Sequence, residues 1–135
     1  QPLDVIMLAH DAIREGLSDL KAAHKKGDVQ GLNKGFDEVS NVIQVHQRQE
    51  ERFVLPVLEH RCGMLASKSG LYDEHSKDGM QANSVRRAIE DASAQHGSEE
   101  SLRAVGEALA VWCEGHLKHL EHEEEVYRSV DAQYA

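Results

Sequence analysis

One spacing constrains this chain more than any other: a histidine followed four residues later by a glutamate, written twice where the helix pattern calls for core residues. His119 and Glu123 lie in WCEGHLKHLEHEEEVY (112–127), and His46 and Glu50 in HQRQEERFVLP (46–56). At about 100° per residue, that interval stacks both side chains on one helix face, one turn apart. The faces are inward ones. Leu102, Val105, Leu109, Trp112, His116, His119, Glu123, Val126 and Val130 follow a three-four rhythm, as do Phe36, Val39, Ile43, His46, Glu50, Phe53 and Val57. An unpaired buried carboxylate costs several kcal/mol, so a chain that buries two at matched spacing needs a cation inside to compensate.

Two further helices complete the pattern. The first is expected from about Pro2–Asp4 to the KKGD turn, with the inward stripe Leu3, Ile6, His10, Ile13, Leu17, Leu20 and His24. The second helix follows an Asp28 cap, is firm from Leu32 because Gly31 and Gly35 weaken its start, kinks near Pro56 and stops around Cys62–Gly63. A shifted last turn there leaves His46 and Glu50 in place. The third begins firmly between Leu65 and Leu71 and carries Leu71, His75, Ala82, Val85, Ile89 and Ala92 up to Gly97, after which Ser98 caps the fourth. Short connections favour an all-α, antiparallel up-down-up-down four-helix bundle, and 135 residues suit one domain, 1–135. In that topology His10, His46, Glu50, His75, His119 and Glu123 all lie at one end.

Composition excludes several partners. The formal net charge of −9, without a basic cluster, disfavours nucleic acid and anionic membrane surfaces. No apolar run approaches the ~20 residues of a membrane span. Cys62 and Cys113 have no Cys-x-x-Cys spacing, so a zinc knuckle is not indicated and a reducing compartment, the cytoplasm, is the milder expectation. Residue 1 is Gln rather than Met, which leaves room for other domains of a longer chain.

Four imidazoles and two carboxylates without thiolate suit iron, manganese or zinc. Six ligands exceed one tetrahedral ion and match a pair, with Glu50 and Glu123 bridging, His10 and His46 serving one ion, and His75 and His119 the other. Oxide, hydroxide, water or dioxygen would complete the shells.

The order of His10, HQRQEE with His46 and Glu50, YDEH with His75, and HLEHEE with His119 and Glu123 resembles the hemerythrin-like (HHE cation-binding) domain family over essentially the whole chain. The resemblance implies a four-helix bundle holding two iron ions, oxo- or hydroxo-bridged, that meet dioxygen or a small oxygen species or report iron. One position departs from it. Oxygen carriers of the family have a second histidine four residues after the one on the third helix, where this chain has Gly79, which argues against a reversible carrier.

Other residues take plainer readings. His24, His60 and His96, near helix ends, are ordinary histidines, and His122 points to solvent. His116 is read three ways: a hydrogen-bonded core residue, a partner behind a ligand, or a direct ligand. Tyr72 and Tyr127 pack near the ligands or donate to a bound oxygen species, and Cys113 is a small apolar core residue. Glu51, Glu121, Glu124 and Glu125 form a solvated acidic surface, with Glu51 and Glu124 placed to act behind the ligands. Three functions follow: an iron- or oxygen-sensing or metal-handling module, a redox enzyme consuming peroxide, nitric oxide or dioxygen, and a metal-free helical interaction module.

Overall fold

The computed structural model describes residues 2–61 and 70–134, and among them all regular structure is helical. Helix α1 spans Pro2–Lys25, α2 Val29–Gln49, a π-helical turn Glu50–Val54, α3 Leu55–Arg61, α4 Leu71–Ala94 and α5 Glu99–Tyr134. The expected ends at Cys62–Gly63, the Leu65 boundary, and the side chains of Leu3 and Val130 lie outside the described residues. The rods pack pairwise, α1 on α2 and α5, and α4 on α2 and α5.

Two helix starts show how local chemistry sets the boundaries. The second helix begins at Val29 rather than near Leu32, because the Asp28 carboxylate accepts a hydrogen bond from Gly31 N at 2.9 Å. The carboxylate lies directly over Gly31, where a Cβ would meet Asp28 Oδ2 at 2.4 Å. At the start of α5, Ser98 Oγ accepts from Ser101 N at 3.2 Å, the cap its sequence suggests.

The register of the second stripe changes partway. Phe53 and Val57, expected inward, are 65% and 48% exposed, whereas Leu55 is fully buried. Pro56 has no N–H for the Arg52 carbonyl and its ring crowds that carbonyl, so the turn before it widens, with Leu55 N bonded to Glu50 O. One extra residue in the turn, taken up from Glu50 onward, shifts the register by about 100°, which carries Phe53 within the turn and Val57 beyond it off the inner face. The widening begins at Glu50 itself, not beyond it as expected.

Buried apolar side chains form two clusters. The larger contains Ile13, Leu17, Leu20, Leu32, Phe36, Val85, Leu109 and Trp112 among others. The smaller joins Leu55, Leu71 and Tyr127, with Ile6, Val54 and Val126 against them. At about 1.5–3 kcal/mol for each large side chain, the first cluster dominates stability. The residues between the two clusters along every rod are the polar ones: His10, His46, Glu50, His75, His119 and Glu123.

Candidate metal centre

All six side chains are buried, with exposures from 0% at His10 and Glu123 to 7% at His46. Each reaches the interior for the reason its spacing suggests, as the polar member of an apolar stripe. His10 Nε2 lies 2.8 Å from Glu123 Oε1 and 3.1 Å from His46 Nε2, and His46 Nε2 lies 3.2 Å from both Glu123 Oε1 and Glu50 Oε1. On the other side, His119 Nε2 is 2.9 Å and His75 Nε2 3.6 Å from Glu123 Oε2, with His75 Nε2 3.7 Å from Glu50 Oε1. Two groups therefore have ligand atoms within 4.8 Å of one another: His10, His46 and Glu123, and His75, His119 and Glu123. They share Glu123, one oxygen to each group. Glu50 stands beside both without joining either group, its outer oxygen accepting from the Tyr127 hydroxyl at 2.7 Å.

What turns the imidazoles inward is a ring of acids behind them. His10 Nδ1 lies 2.7 Å from Glu124 Oε2, His75 Nδ1 3.0 Å from Glu51 Oε1, and His119 Nδ1 2.7 Å from Glu74 Oε1. An acid at Nδ1 holds the ring proton there and leaves the Nε2 lone pair facing the carboxylates. Arg14, 2.8 Å from Glu124 Oε2, anchors one of these acids in turn. Glu124 is therefore buried and engaged rather than solvated, while Glu51 stays exposed and still reaches His75. Glu74 went unassigned in the sequence because its partner is on another helix.

The electrostatics of the two carboxylates diverge. Burial, and then the neighbouring Glu123, push the Glu50 carboxyl up to about 11. Burial also acts to raise Glu123, but the imidazoles of His10, His119, His46 and His75 gathered around it outweigh burial and hold the group well below the usual carboxylate range. Burial works to lower His119, yet Glu123 and Glu74 raise it. Tyr127 is raised by burial and by the Glu50 charge.

The donor set fits a cation pair. Glu50 Oε1, His75 Nε2 and Glu123 Oε2 are buried atoms without a hydrogen-bond partner, and the imidazole nitrogen lies 3.7 and 3.6 Å from the two oxygens. His10 and His119 each lie between two carboxylates, with Glu124 or Glu74 at Nδ1 and Glu123 at Nε2. Either extra protons on buried rings or cations between them must balance those acids, and cations satisfy the orphaned atoms as well.

A second buried polar group adjoins the first. Asp78, in the stripe position between His75 and Ala82, accepts from Trp112 Nε1 at 2.9 Å and lies 2.6 Å from His116 Nδ1. The three-four rhythm pointed to Asp78, and its polarity hid it. His116 thus takes the hydrogen-bonded reading; its ring lies 5.7 Å from that of His119, and it belongs to neither three-ligand group. His24 bonds the Leu102 carbonyl at 2.8 Å, and Cys113 is buried with its thiol raised by burial. His122, expected in solvent, is part-buried with Nδ1 2.7 Å from Glu74 Oε2. A Cβ at Gly79 would meet nothing within 4 Å.

The family model described as the hemerythrin HHE cation binding domain matches residues 1–130 of the chain. No curated protein and no solved structure matches it.

Proposed function

The chain belongs to the hemerythrin HHE cation-binding family, and on that premise we propose that it holds two iron ions. Their ligands are His10, His46, Glu50, His75, His119 and Glu123, with Glu123 and Glu50 bridging and oxide or hydroxide completing the pair. In this reading residues 1–135 are one domain whose rods run alternately up and down, which the two short described connections, 26–28 and 95–98, support. So do the contacts at the end opposite the ligands, His24 with Leu102 and Asn33 with Ser93. The observation that carries it is the orientation of the imidazoles: three have Nδ1 held by an acid, so that Nε2 faces two buried carboxylates with orphaned oxygens. The donors also accept manganese and zinc.

We further propose that occupancy of the centre is linked to stability, making this an iron- or oxygen-responsive module in a reducing compartment. Without cations, the opposed carboxylates and lone pairs must be neutralised by protons, so whatever binds the interior stabilises the bundle. Iron so held would supply redox chemistry to dioxygen or a small oxygen species. A redox enzyme using the same centre is the second reading. It is favoured by Tyr127, whose hydroxyl holds the outer oxygen of Glu50 and is kept protonated beside the ligands. Metal quantitation with an optical spectrum in air tests the first proposal: two irons per chain with near-ultraviolet absorption support it, and protein from iron-replete medium with no bound metal refutes it. Peroxide or nitric oxide turnover with a reductant, faster than free iron and lost in His119→Ala, supports the enzyme.

A further inference from the structure

His119 has two faces. Its Nε2 looks inward, 2.9 Å from Glu123 Oε2, and its Nδ1 looks the other way, to Glu74 Oε1 at 2.7 Å. The second oxygen of Glu74 holds Nδ1 of His122 at 2.7 Å. Glu74 and His122 side chains are 33% and 35% exposed against 5% for His119. All three line a cavity of about 330 Å³, together with Asp78, Lys77 and Lys118. His119 is therefore a wall between that cavity and the buried ligands.

We propose that Glu74 and His122 form an outer capture site for a divalent transition cation, and that this cavity is the port by which the interior is loaded. The proposal rests on the reading that the interior holds cations. The carboxylate oxygen and imidazole nitrogen are hydrogen-bonded at 2.7 Å and need only move slightly apart, with loss of the shared proton, to become neighbouring ligands of one ion; their types match the donors inside. Holding His119 in orientation needs one oxygen of Glu74; the second serves a histidine that belongs to neither three-residue group inside. Two protein donors, with water filling the remaining positions, bind a cation weakly, which is what a transfer point requires. The net charge of −9 draws cations toward the surface. Asp78 adds a carboxylate to the lining, whereas Lys77 and Lys118 oppose capture, Lys118 being partly neutralised by Glu114 at 3.1 Å.

The two signs make the test sharp. Metal-stripped full chain is mixed with cobalt(II) without air, and the growth of the cobalt spectrum is followed in time. His122→Ala is expected to slow uptake about tenfold, the scale of a lost electrostatic and ligand focus, while the final count stays at two ions with an unchanged spectrum. Lys77→Gln, an exposed change, is expected to speed it. Uptake by His122→Ala at the wild-type rate overturns the port and leaves the interior centre standing. Wild-type protein that takes up no cobalt overturns the interior reading, and the port with it.

Discussion

Removing the metal should make the protein's stability fall as pH rises, because Glu50 then has to keep a proton that the unfolded chain gives up. The carboxyl moves from an ordinary 4.5 to about 11 in the folded protein. A group raised on folding contributes stability in full below its unfolded value and loses it as pH climbs toward the folded value. Between those limits the loss is about 1.4 kcal/mol per pH unit. Glu123, shifted the other way, contributes above 4.5 and loses it only as pH falls below, so it is level across the neutral range. His119, raised from 6.5, loses its contribution as pH rises and steepens the slope. From pH 5.5 to pH 8 the stripped protein should therefore lose about 3 kcal/mol or more, equivalent to roughly 10 °C in Tm for a domain of this size. Urea unfolding followed by circular dichroism at several pH values measures it. With metal bound, Glu50 is ionised in both states and its slope disappears; Glu50→Gln should remove most of it from the stripped protein too. Stripped wild-type protein whose stability stays level or climbs over this window would refute the reasoning.

Three other substitutions probe separate parts of the structure. Glu123→Gln removes the carboxylate shared by both three-ligand groups and should reduce the bound metal from two ions to one or none, counted by elemental analysis. Tyr127→Phe leaves the outer oxygen of Glu50 without its 2.7 Å donor and should destabilise the protein by about 1–3 kcal/mol in urea titrations. Gly31→Ala would ordinarily stabilise a helix by about 1 kcal/mol, but its Cβ would lie 2.4 Å from Asp28 Oδ2, so the carboxylate must turn aside and the weakened cap should cancel the gain, leaving Tm close to that of the unsubstituted protein in thermal melts.

The buried polar residues at the centre were legible because a polar residue in an apolar stripe is conspicuous: His10, His46, Glu50, His75, His119 and Glu123 stand out against Leu17, Ile43, Leu71 and Leu109. The acids behind them were not. Glu51, Glu74 and Glu124 each adjoin one of those six residues in sequence, yet a run such as EHEEE reads equally as a solvated face, and Glu74 serves His119 from a different helix. Asp78 could have been found, since 71, 75, 78, 82, 85, 89 and 92 continue one rhythm, but an acid three residues from His75 looks like surface until Trp112 and His116 are seen to hold it. Proximity between helices is what a stripe on one helix does not encode.

The π turn ties several of these features together. Proline in a helix interior costs about 3 kcal/mol where nothing relieves it, and here the relief begins at Glu50, whose carbonyl accepts from Leu55 N. Shifting the stripe by one residue turns Phe53 outward and brings Leu55 in against Leu71 and Tyr127. That small cluster packs Tyr127 where its hydroxyl reaches Glu50, so the residue that opens the turn also receives the hydrogen bond that the new register makes available. An uninterrupted α-helix would keep the sequence stripe of Phe53 and Val57 facing inward and would leave Leu55 off the inner face. The proline thus does more than end a helix: it sets the rotation of the apolar cap that closes the polar interior on the side away from the main core.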